Sequence, residues 1–84
     1  MSVGAEERDG PSVEITVNGV RASVPDGASL VEVLAATSGA TGAPPDGRGI
    51  AVALEDTVVP AGAWATTKVA PGARVEVLRA VAGG

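Results

Sequence analysis

The sequence predicts an α+β domain, a mixed sheet of four or five strands packed on one main helix. Three observations carry this. Two runs of alternating apolar and polar residues flank Asn18-Gly19, and a helical pattern opens on Ser29. Three further apolar runs follow, the last leading straight into Gly83-Gly84.

Taken in order, residues 1–12 are polar and non-periodic, with Gly4, Gly10 and Pro11, and read as a disordered lead-in. They lack the apolar stretch of a secretory signal. The runs Val13-Glu14-Ile15-Thr16-Val17 and Val20-Arg21-Ala22-Ser23-Val24 each alternate, as half-buried strands do. Asn-Gly between them is the strongest short hairpin signal, because its two-residue turn needs positive φ at both positions. That turn pairs Val17 with Val20 and places Val13, Ile15, Val17, Val20, Ala22 and Val24 on one face. The register is self-consistent.

Pro25-Asp26-Gly27 ends the second strand. Ser29-Leu30-Val31-Glu32 fits a capping box, in which Ser caps the helix and Glu reaches back. Leu30, Val33, Leu34 and Thr37 then share one helical face, and Gly39 is the expected stop. Residues 39–49, with Pro44-Pro45 and four glycines, read as a long irregular loop. Ile50-Ala51-Val52-Ala53-Leu54 is apolar throughout and suits a buried central strand. Glu55-Asp56-Thr57 turns the chain into a short strand at Val58-Val59, closed by Pro60. Trp64 follows in an irregular or single-turn element. Pro71-Gly72 turns the chain into the final strand, residues 74–80. The helix serves as a crossover that lets the last strand enter beside the first, which is the β-grasp arrangement. The domain is expected over 13–82, with 83–84 as a flexible tail.

Composition narrows the function. The 84 residues are 45% apolar, almost all Val, Ala, Leu and Ile, with one Trp and no other aromatic. Six basic and ten acidic residues give a net charge of −4, and the basic ones are scattered. Without a basic patch or stacking platform, nucleic-acid binding is not expected; an acidic surface suits a basic protein partner. The lack of Cys and His removes disulfides, thiolate chemistry, His-containing metal sites and the usual general base. No run approaches a membrane span, so no membrane contact is expected and the protein reads as cytoplasmic.

The tail supplies the chemistry. Gly-Gly directly after a strand presents an α-carboxylate on a thin stalk, and residues without Cβ can thread a narrow active site. An α-carboxyl is ionised near neutral pH and is an oxygen nucleophile. Gly84, with Gly83, is therefore the candidate reacting end. If Val75 and Val77 face the core, alternation sends Glu76, Leu78 and Ala80 outward. Leu78 and Ala80, with Val81 and Ala82, then form a candidate docking segment beside the tail.

Residues 50–84 resemble the ThiS family, the sulfur carriers of thiamine thiazole biosynthesis. The matching features are Ala51-Val52-Ala53-Leu54, Val59-Pro60, Trp64, Val69 with Gly72, and the end Val75-Glu76-Val77-Leu78-Arg79-Ala80-Val81-Ala82-Gly83-Gly84. The Asn18-Gly19 hairpin and the helix start at 29–34 also look like that family's first half. Two departures lie in loops: Glu55-Asp56 stands where many members carry Asn-Gly, and 39–49 is longer and richer in Gly and Pro.

The resemblance implies a ubiquitin-like β-grasp fold and a carrier without catalytic residues of its own. An adenylyltransferase related to ubiquitin-activating enzymes would join the Gly84 carboxylate to AMP, consuming ATP. A sulfur donor protein would displace AMP to leave a thiocarboxylate, and thiazole synthase would take the sulfur. No metal and no permanently bound cofactor is implied. Two alternatives stand beside it. One is the small subunit of molybdopterin synthase, also a Gly-Gly-ending carrier but commonly with paired prolines before the tail. The other is a ubiquitin-like modifier or interaction module, for which the single Lys68 argues against chain-forming conjugation.

Overall fold

Asn18 and Gly19 both adopt positive φ, 53° and 82°, and this turn reverses the chain between β1 (Ser12–Val17) and β2 (Val20–Pro25). The computed structural model describes residues 10–42 and 48–79. The expected register holds, with Val17 opposite Val20, Ile15 opposite Ala22 and Val13 opposite Val24. The hairpin starts earlier than the alternation suggests, since Ser12 pairs with Pro25 and Pro11 O accepts from Asp26 N at 3.0 Å. Val20 shares the inner face but is exposed, because it sits at the hairpin tip.

Helix α1 (Leu30–Thr41) opens on the capping box. Ser29 N donates to Glu32 Oε1 at 2.8 Å, and Glu32 N donates to Ser29 Oγ at 3.3 Å, satisfying two amides that lack partners within the helix. Leu30, Val33, Leu34 and Thr37 form the buried stripe. Thr37 Oγ1 donates back to Val33 O at 2.8 Å.

The helix does not stop at Gly39. It runs on to Thr41, and Gly42 ends it in the left-handed region (φ 73°), with its N–H donating to Ser38 O. A glycine inside a helix costs only about 1 kcal/mol relative to alanine. The residue that can take positive φ at the end of the stripe fixes the terminus. The irregular loop thus begins after Gly42, and residues 43–47 lie outside the described residues.

Strands β3 (Ile50–Leu54), β4 (Thr57–Val59) and β5 (Arg74–Arg79) complete a five-stranded sheet of order β2-β1-β5-β3-β4. The β1–β5 pair is parallel and the other pairs are antiparallel, so the sheet is mixed. The expected entry of the last strand beside the first is what the structure shows, with β5 at the centre of the sheet.

α1 packs on one face of the sheet, where Ile15, Val17, Val24, Val52, Val75 and Val77 meet Leu30, Val33 and Leu34 in a core cluster. Burying each such side chain contributes about 1.5–3 kcal/mol. The 3₁₀ turn Ala61–Thr66 seats Trp64 in the same cluster. Its Nε1 donates to Val59 O at 2.8 Å, so the ring is an anchor with its polar atom satisfied. The segment after it is tied to the helix start, with Leu30 N donating to Thr67 O and Val69 N to Ala28 O, both at 2.9 Å. Among the described residues, no helix is long and apolar enough to cross a membrane.

Candidate functional site

The site is built on β5, the last described element before the Gly-Gly end. Its side chains alternate as expected: Val75 and Val77 are buried, and Glu76 and Leu78 point away from the helix. Leu78 is 63% exposed, an unusual setting for a leucine on a central strand. It lies opposite Ala51, while Glu76 lies opposite Ala53, and Ala53 in turn opposite Val58. Leu78, Ala51, Ala53 and the exposed Val58 thus make an apolar strip across β5, β3 and β4 on the sheet's open face.

This corrects the expectation for β3. The strand is interior to the sheet, but only Val52 is buried; Ala51 is exposed and Ala53 half-buried. An unbroken apolar run signals a strand apolar on both faces, and here one of those faces lies open. Ala51, Ala53 and Val58 were legible as apolar residues but not as a surface. Acidic groups border the strip at Glu76, Glu55 and Asp56, all exposed.

Two pairs of contacts hold the ends of β5. At its start, Arg74 N donates to Glu55 Oε2 at 2.6 Å, and Arg74 Nη2 meets Asp56 Oδ2 at 2.5 Å. Near its other end, Asn18 Oδ1 accepts from Val77 N at 2.8 Å, and Asn18 Nδ2 donates to Val77 O at 3.2 Å. Sequence reasoning assigned Asn18 to turn chemistry alone. Its partner is 59 positions away, and no local pattern points to it.

Arg79 falls on the helix side, opposite Ile50. Its Nη1 lies 3.4 Å from where a Cβ on Gly42 would stand, close to the helix C-terminus, where positive charge is favourable. Of the candidate site residues, the structure therefore places Leu78. Ala80, Val81, Ala82, Gly83 and Gly84 lie outside the described residues. At the hairpin end, a shallow cavity of about 90 Å³ opens between sheet and helix, lined by Val17, Val20, Ala22 and Thr37 among others. That is far below the roughly 300–1,000 Å³ of small-molecule sites.

Comparison with known proteins finds both a family and solved structures that this chain resembles. The model of the ThiS family matches residues 9–84. Among solved structures, the chain is similar to the thiamine biosynthesis protein (ThiS) from Geobacter metallireducens. The two share 28% identity, the match covers 86% of this chain and all of the other, and the TM-score is 0.69. Comparison with curated proteins found no match.

Proposed function

This chain belongs to the ThiS family, the sulfur carriers of thiamine biosynthesis, and from that premise we propose that Gly84 carries the sulfur as a C-terminal thiocarboxylate. The observation that carries the proposal is the family match running through to Gly84, joined to an open apolar strip on the strand that leads there.

The chemistry follows from the group. A carboxylate is a poor electrophile because its leaving group would be an oxide. In the proposed cycle a Gly84 carboxylate oxygen attacks the α-phosphorus of ATP on a partner adenylyltransferase, and pyrophosphate leaves. The acyl-adenylate is electrophilic at carbon, and AMP becomes the leaving group. Hydrosulfide delivered by a donor protein attacks that carbon, the acyl C–O bond breaks to release AMP, and loss of the S–H proton gives the thiocarboxylate, which thiazole synthase consumes. Catalytic groups, ATP and the sulfur source all belong to the partners; the chain contributes a reacting end and a handle.

The handle is the strip around Leu78, and the adjoining residues Ala80, Val81 and Ala82 extend it in the proposal. From Arg79, the five residues 80–84 reach at most about 18 Å when extended. A partner that grips the strip must therefore hold its nucleotide within that reach. Cβ-free Gly83 and Gly84 suit the narrowest part of the path. The acidic border favours a partner with a basic rim. Both the family match and the solved relative concern thiamine biosynthesis, which supports the thiazole branch over the molybdopterin one.

Deleting Gly84 tests the proposal. The variant should lose pyrophosphate release with the partner adenylyltransferase while keeping the wild-type thermal transition. Unimpaired pyrophosphate release would refute it.

A further inference from the structure

In a parallel pair, each strand residue that faces its neighbour donates to one residue and accepts from another two positions on. β1 follows this rule against β5 as far as it runs: Thr16 N donates to Ala73 O at 3.0 Å, and Asn18 N to Val75 O at 2.9 Å. The next contacts would be an acceptor for Val77 N and a donor for Val77 O. The backbone cannot supply them, because at Asn18 it turns into the hairpin with φ 53°. The Asn18 carboxamide supplies both instead, its Oδ1 accepting from Val77 N and its Nδ2 donating to Val77 O. One side chain continues the ladder past the point where its strand has left.

The placement matters because β5 is otherwise held from one side there. β3 pairs with it through to Ile50 opposite Arg79, while the β1 edge ends its backbone pairing at Val75. Val77 is the last β5 residue tied on that edge, with only Leu78 and Arg79 between it and residues 80–84. No other common side chain combines this turn's positive φ with an adjacent donor and acceptor. Aspartate tolerates the φ but cannot donate when ionised, and glycine tolerates it but has neither group.

We propose that Asn18 is a positioning residue for the C-terminal segment. Its carboxamide pins Val77 and so steadies the last residues of β5, through Arg79, as the base from which a partner enzyme on the open face takes up residues 80–84. The functional half of this inference rests on the carrier proposal above; the anchoring half does not. Asn18 touches no reacting atom. It acts through Val77, on the fraction of docked molecules whose tail is aimed productively.

The test compares wild type with Asn18→Gly and Asn18→Asp in the full chain. Glycine preserves the turn, so the hairpin should form, and the aspartate variant retains the acceptor if glycine loosens the fold. Amide exchange at Val77 should quicken roughly tenfold in Asn18→Gly, the effect of losing one ordinary hydrogen bond, and less in Asn18→Asp.

With the adenylyltransferase and ATP, kcat should fall several-fold in Asn18→Gly while the KM for the carrier stays within about twofold, since the β3-paired strip is intact. Asn18→Asp should lie between. A merely structural role would instead lower the thermal transition and leave kcat untouched at temperatures where the protein is folded. Unchanged Val77 exchange in both variants overturns the anchoring. Faster exchange with unchanged kcat overturns the positioning. Wild type that no adenylyltransferase activates overturns the carrier proposal and the tail's role with it, whereas the exchange result would still stand.

Discussion

Arg74 Nη2 meets Asp56 Oδ2 at 2.5 Å across the β3–β4 turn, where Glu55 and Asp56 hold φ of 51° and 70°. Asp56 tolerates that region, but Glu55 is poorly suited to it, and a left-handed residue with a Cβ costs about 1–2 kcal/mol. The Arg74 contacts are the visible compensation: a charged pair to Asp56 and a backbone donor to Glu55. Both partners of the ion pair are well exposed, and such pairs contribute at most about 1 kcal/mol. Replacing Glu55-Asp56 with Asn-Gly should therefore stabilise the domain by about 1 kcal/mol, read as a raised urea midpoint. The two lost carboxylates also border the open strip, so the KM for the carrier in pyrophosphate release should rise while kcat, set at the distant tail, should not change.

Gly39 lies within α1, exposed, with nothing within 4 Å of the place a Cβ would occupy. Gly39→Ala should raise stability by about 1 kcal/mol. Gly42→Ala should do the opposite by a similar amount, because it forces a residue with a Cβ into φ 73°. Thermal melts of the pair check the reassigned helix end.

Trp64 joins the core by its ring and β4 by its Nε1 contact with Val59 O. Trp64→Phe loses the donor and part of the volume and should cost about 1–2 kcal/mol. Trp64→Ala should cost about 3–5 kcal/mol, a large share of the roughly 5–15 kcal/mol typical of a domain. Urea unfolding followed by circular dichroism measures both.

Leu78 separates stability from function. Its side chain is 63% exposed, so Leu78→Asp should change stability by no more than about 0.5 kcal/mol. In the proposed complex it is a central anchor, and its loss should raise the carrier's KM about tenfold, equivalent to about 1.4 kcal/mol. A steady-state titration of the carrier against the adenylyltransferase reads this directly.

What the sequence made legible divides along a physical line. The Val17–Val20 register, the Ser29–Glu32 capping box and the inward face of β5 rest on neighbours within a few residues, and all three stand in the structure. Asn18–Val77 and Arg74–Asp56 depend on strands brought together by the fold, and no local pattern announces them. The apolar stretch of β3 was ambiguous because a strand buried on both faces and a strand with one open apolar face share one composition. At Gly39 the local penalty was real but smaller than the packing of the helical stripe around it.

The central claim is that Gly84 bears the sulfur. The most direct measurement is the intact mass of the full chain after incubation with ATP, a sulfur source and the partner adenylyltransferase, with the C-terminal peptide sequenced by fragmentation. The predicted result is replacement of one oxygen by sulfur, confined to Gly84 and dependent on ATP. An unmodified chain after incubation with an adenylyltransferase proven active on another ThiS protein, or sulfur found on any other residue, would contradict it.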